Sequence, residues 1–130
     1  KNRLRIPAKF RSELGEKFVV ARGTNGCLVV FNPEKENLFA KLQSVPMSDL
    51  QAQKSVRMIF ASASEVENDE QGRFLLPQKL KEIAGIQKNV VLNGMGTWIE
   101  LWSEDRWKEY NDSCQEDYDS IFSGLVKFGV

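Results

Sequence analysis

The 130-residue chain contains no histidine. That removes the commonest general base and the commonest metal ligand at neutral pH. Neither a Ser-His nor a Cys-His catalytic pair is available, and the usual zinc sites are excluded. Cysteine is scarce: Cys27 and Cys114 stand far apart and form no CxxC pair. Both read as reduced packing residues of a cytosolic protein. A phosphate-binding glycine fingerprint is missing too. GTNG (23–26) is not followed by a lysine-serine pair, and it and NGMG (93–96) read as hairpin loops. Glu65 and Glu67 alternate and most simply line one exposed strand face. The expectation is no catalysis, no cofactor and no metal. No run of about 20 apolar residues is present, so no transmembrane helix is expected. No signal-peptide pattern is visible.

Net charge is also lacking, because 18 Lys and Arg balance 18 Asp and Glu. The balance hides an uneven distribution. KNRLRIPAKFR (1–11) holds five basic residues and no acidic one. This stretch has a counterpart 70 positions later, where KNRLRIPAKFRSELG (1–15) aligns with QGRFLLPQKLKEIAG (71–85). Arg3 matches Arg73, Pro7 matches Pro77, Lys9 matches Lys79 and Gly15 matches Gly85. With one residue inserted, KFVVARGTNGCLVVF (17–31) aligns with KNVVLNGMGTWIELW (88–102). Two copies are too few for a solenoid, so a pseudo-twofold pair is expected.

Each copy reads as hairpin, short helix, hairpin. A turn (KN or QG) leads into a strand, RLRI or RFLL, ended by proline. Asn2 and Gly72 occupy equivalent turn positions, and these residue types best tolerate positive φ. Pro7 and Pro77 suit a first helical turn, and Gly15 and Gly85 suit its C-terminal cap. In the second copy the strand before the turn is expected over ASASEVEND (61–69). The chain opens on Lys1 at the first tip, so a partner strand is expected ahead of it. Helices are expected over 33–44, over 48–60 with Ser48 as cap, and over 103–122 with Ser103 as cap. Trp107, Tyr110, Cys114, Tyr118 and Ile121 form one stripe on the last, suited to core or subunit packing; its other face is acidic.

The expected organisation is α+β. It comprises a first unit (1–32), a central helical pair (33–60), a second unit (61–102) and a C-terminal helix with an apolar tail (103–130). Half of this chain would build only a marginal core alone. The parts are therefore expected to form one integrated domain, or to lean on partner subunits.

A basic hairpin tip is well shaped to meet nucleic acid. Arg3 and Arg73 follow the turn residue, and arginine can bond guanine O6 and N7 with both arms. Lys1, Arg5, Lys9 and Arg11 would serve phosphates. Leu4 and Ile6 would face the core while Arg3 and Arg5 face out. Charge alone fits equally well a solvated strand, or one paired with the acidic last helix. The repeat favours the nucleic-acid reading, since core packing has no need for arginine at the same turn position twice.

The tandem motifs DEQGRFLLPQKLKEIAG and KNRLRIPAKFR resemble the MraZ family of bacterial transcriptional regulators, in the AbrB-like swapped-hairpin superfamily. The likeness extends through GCLVVF and IELWSEDRW, with Asn2 standing where the first motif usually has glycine. The resemblance implies one swapped-hairpin, barrel-like body and subunits closed into a ring homo-oligomer. It implies double-stranded DNA met by tip residues, with Arg3 the main contact, Lys1 and Asn2 beside it and Arg73 its structural equivalent. It further implies promoter-proximal, G-rich direct repeats as target, autorepression of a division and cell-wall gene cluster, and a cytoplasmic, nucleoid-associated location. The runner-up is an antitoxin-like interaction module that binds a protein partner.

Overall fold

The computed structural model describes residues 2–130. Strand β1 (Arg3–Arg5) is followed by helix α1 (Ala8–Leu14), which starts from Pro7 and stops at Gly15. Strands β2 (Lys17–Arg22) and β3 (Leu28–Phe31) form the hairpin that completes the first unit. Helices α2 (Leu38–Gln43) and α3 (Leu50–Ser62) lead to β4 (Ser64–Glu67). The second unit repeats the first: β5 (Arg73–Leu75), α4 (Gln78–Ala84) capped by Gly85, then the hairpin β6 (Val90–Gly94) and β7 (Trp98–Ser103). The chain ends in α5 (Glu104–Glu116), α6 (Tyr118–Phe122) and a 3-10 segment (Ser123–Phe128).

Among the described residues the strands form two antiparallel sheets, β1-β5 and β4-β2-β3-β7-β6. Both are built across the repeat. The strand expected to pair with β5, on the far side of the tip, pairs with β2 of the first unit instead. β5 in turn pairs with β1, in the register Arg3↔Leu75, Leu4↔Phe74, Arg5↔Arg73. The segment 69–72 is thus a tight turn, the second tip, whose flanking strands diverge into different sheets. This exchange lets Ile6, Phe74, Leu76 and Leu80 join Leu14, Phe18, Val20, Leu28, Ile99 and Leu101 in one buried cluster. Phe18 meets Phe74 edge to face, with ring centroids 5.2 Å apart. The strand expected ahead of Lys1 lies outside the described residues. The pseudo-twofold relates β2 to β6, so the position equivalent to that of β4 runs along the outer edge of β6.

Several boundaries differ from those expected. Residues 33–36 form a turn in which the Glu34 N–H donates to Asn32 Oδ1, so α2 starts only at Leu38. Asp49, not Ser48, caps α3 by accepting the Ala52 N–H at 3.0 Å. That helix continues through Ser62 and shortens the following strand. Ser103 caps the C-terminal helix as expected, through the Arg106 N–H. The helix breaks at Asp117, whose N–H turns tightly to Cys114 O. Trp107 and Tyr110 pack on Trp102, whereas Tyr118 and Ile121 past the break are exposed. The stripe therefore has a packing surface only along its first half.

Cys27 is buried, and burial pushes its thiol pKa up to about 11, with Glu100 adding to the shift. It remains a neutral packing group. Both cysteines are free. Among the described residues no helix is long and apolar enough to cross a membrane.

Phe74 and Leu75 are neighbours on β5 with opposite environments. Phe74→Ala should lower unfolding free energy by about 3–5 kcal/mol. Leu75→Ala should change it by only about half a kcal/mol. Urea unfolding of the two variants checks the contrast.

Candidate nucleic-acid interface

Strand alternation sorts the β1–β5 ribbon into two faces. Phe74 and Leu4 point to the core, with Phe74 fully buried. Arg3, Arg5, Arg73 and Leu75 point the other way. The side chains of Arg3 and Arg73 are 46 % and 41 % exposed, so both can be reached from outside. Leu75, the repeat equivalent of Arg5, is 52 % exposed, unusual for a leucine on so short a strand.

The two ends of the ribbon are fastened symmetrically. Ile6 N–H donates to Gly72 O at 3.3 Å, and Leu76 N–H donates to Asn2 O at 2.7 Å. Each tip has a left-handed residue, Asn2 at φ 58° and Gly72 at φ 77°. A basic residue of the opposite unit braces each tip. Lys81 Nζ donates to Asn2 Oδ1 at 2.8 Å, and Asn2 Nδ2 donates to Gln78 Oε1 at 3.0 Å. The equivalent Arg11 donates from Nε to Ile6 O at 2.9 Å and lies over Gly72, where a Cβ would come within 2.8 Å of its guanidinium. The left-handed φ favours glycine there, and a Cβ would also have to displace the Arg11 guanidinium. Asn2 is accommodated because its amide is bonded on both sides.

Asp69 organises the second tip. Its N–H donates to Arg73 O at 2.7 Å, and its carbonyl accepts the Gly72 N–H at 3.0 Å. Its Oδ1 accepts the N–H groups of Gln71 at 2.8 Å and Arg73 at 3.0 Å, an Asx turn. Its Oδ2 lies 3.7 Å from both Arg73 Nε and Arg3 Nη1. One carboxylate thus serves the arginines of both units. The Arg73 N–H does most to hold its pKa below the usual aspartate value. Desolvation opposes this, and the Gln71 N–H and the two guanidiniums reinforce it. Within the ribbon, Arg5 stands directly opposite Arg73, and like charges in that position repel.

Of the residues singled out in the sequence, Arg3, Arg5 and Arg73 come together on one face. Arg11 and Asn2 lie beside them as half-buried structural braces. Lys9 is exposed on α1 with its ammonium 5.0 Å from the Phe10 ring centroid. It lines an open groove with Thr24, Asn93, Trp107 and Tyr110, and none of the ribbon arginines reaches that groove. Lys1 lies outside the described residues. Among the described residues the carboxylate within 4 Å of Arg3 and Arg73 is that of Asp69, and no acid of α5 pairs with them. Sequence reasoning missed Leu75 and the double service of Asp69. The Asp69–Arg73 spacing was legible in the motif, whereas the approach of Arg3 depends on cross-unit pairing.

Two repeated units whose strands pair across the repeat, β4 with β2 and β5 with β1, define a swapped-hairpin protein with a basic ribbon as its distinctive surface. Comparisons place it more closely. The family model described as "MraZ protein, putative antitoxin-like" matches twice in tandem, over residues 1–58 and 59–126. Proteins named transcriptional regulator MraZ are similar along nearly the whole chain. That of Halothermothrix orenii is 46% identical over 100% of this chain and 92% of its own length. That of Carboxydothermus hydrogenoformans is 45% identical over 98% and 90%. That of Syntrophomonas wolfei is 40% identical over 100% and 92%. The chain belongs to the MraZ family of transcriptional regulators, with its AbrB-like swapped-hairpin fold, and is not an enzyme.

Because the Asp69 pKa is lowered in the folded state, its contribution to stability is complete above the ordinary aspartate value of 3.8 and is lost as pH falls through the lowered one. In an NMR titration the Gln71 and Arg73 amide resonances should move together, with a midpoint below 3.8. Both movements should vanish in Asp69→Asn.

Proposed function

We propose that the protein binds double-stranded DNA sequence-specifically by seating the β1–β5 ribbon in the major groove. One observation carries this reading: three arginines share the outward face of a two-stranded antiparallel ribbon, an element the major groove admits. Arg3 and Arg73 flank the ribbon symmetrically and are the candidate guanine readers. Arg5 serves a phosphate. Leu75 supplies an apolar surface suited to a thymine methyl. Lys1, Lys9 and Arg11 add positive charge for phosphates, and Arg11 and Asn2 also keep the tips in shape.

The two units and the helices around them act as one integrated domain in this reading. Subunits assemble into a closed ring, so several tips engage one DNA molecule and modest single contacts multiply. The fitting target is a series of short, G-rich direct repeats near the promoter of its own operon, in the division and cell-wall gene cluster. Binding there represses transcription, which places the protein in the cytoplasm at the nucleoid. A second reading, an antitoxin-like module for a protein partner, draws on the exposed apolar residues after the helix break, including Phe122, Val126 and Phe128.

Binding to the protein's own upstream DNA, measured across a salt series, tests the first reading. Arg3→Ala should weaken specific binding roughly ten- to hundredfold, the worth of one bidentate base contact. It should leave assembly and thermal stability unchanged. Arg5→Ala should lower the slope of log affinity against log salt by about one, the worth of one phosphate contact. Equal wild-type affinity for unrelated DNA would reject the reading.

A further inference from the structure

We infer that Asp69 is a positioning residue that sets DNA specificity, holding Arg3 and Arg73 in register and opposing DNA that offers phosphates alone. The inference rests on the proposed DNA-binding function. The carboxylate divides its work between its two oxygens. Oδ1 is committed to the Asx turn, while Oδ2 faces one guanidinium from each unit at the same 3.7 Å. That distance is too long for a hydrogen bond, so the attraction is electrostatic and leaves the arginine donors free. Arg73 Nε is shielded from solvent without a hydrogen-bond partner, so its compensation comes from the neighbouring Asp69 charge.

The charges explain why this matters. Without Asp69, Arg3 and Arg73 would join Arg5 as uncompensated charges, and nothing would offset the repulsion between Arg5 and Arg73 across the ribbon. Such a cluster would bind any duplex through its phosphates. Asp69 lies where its charge repels an incoming phosphate and competes for the guanidiniums. Exposed ion pairs are weak, so well-placed guanine acceptors can draw the arginines away at little cost. Specificity is a difference of affinities, and a carboxylate that penalises the wrong partner widens it.

Asp69→Asn keeps an oxygen acceptor for the Gln71 and Arg73 N–H groups and removes the charge. Asp69→Ala removes both. With the intact protein and salt-series binding to upstream and scrambled duplexes, Asp69→Asn should bind scrambled DNA several-fold tighter. Its salt slope should steepen by about one, and its specificity ratio should drop roughly tenfold. Asp69→Ala should lose specific affinity as well, because the turn relaxes. An Asp69→Asn protein matching wild type in slope and ratio would reduce Asp69 to a turn acceptor and overturn the inference. A wild type with no preference for upstream DNA would overturn the proposed function and the specificity role together. The positioning role is judged without DNA. The Arg3 and Arg73 Nε–Hε resonances should titrate with Asp69 in wild type and stay still in Asp69→Asn. Arginine resonances that never follow Asp69 would overturn positioning.

Discussion

The pairing of β1 with β5 is the constraint on which the rest of the structure depends. Three residues a side make too small a ribbon to hold itself together in water. It persists because Phe74 is buried on Phe18, and because Ile6 and Leu76, just beyond its ends, enter the same core. Carbonyls of the two tip residues, Asn2 and Gly72, accept the N–H groups that close it. The core of the molecule and its basic surface are therefore two faces of one element. Packing on the inner face places the arginines on the outer.

The electrostatics follow from that placement. A neutral chain concentrates three guanidiniums on a few ångströms of backbone, and one carboxylate moderates two of them. The acidic residues of α5 balance the total charge from elsewhere without neutralising the ribbon. The one arginine of that acidic helix, in its first turn, has a different task. Arg106 Nη1 donates to Gly26 O at 3.0 Å and Ile83 O at 2.8 Å, tying α5 to both units. Basic residues thus act in two ways: Arg106, Arg11 and Lys81 hold elements together, while Arg3, Arg5 and Arg73 are left to face outward.

Much of this was legible in the repeat. Arg3 and Arg73, Pro7 and Pro77, and Gly15 and Gly85 located two helices and two tips at the spacing the structure shows. Alternation placed Leu4 and Ile6 inward and the arginines outward. Leu75 was missed although its repeat equivalence to Arg5 places it outward, because a leucine on a short apolar strand reads as core. Arg11 looked like one more free cation, since nothing near it in sequence reveals that it lies over Gly72.

The amino-acid sequence by itself determined the local elements: turns needing left-handed residues, helices bounded by proline and glycine, and strands with one apolar face. These depend on backbone sterics and on side chains a few residues apart. Which strand pairs with which was decided only in the tertiary structure. β4 and β5 could satisfy their backbone hydrogen bonds with each other or with the first unit. Local preference does not separate these choices. The exchange prevails because it buries Phe74, Leu76 and Ile6 in one shared core, and the same choice brings Arg3 to Asp69.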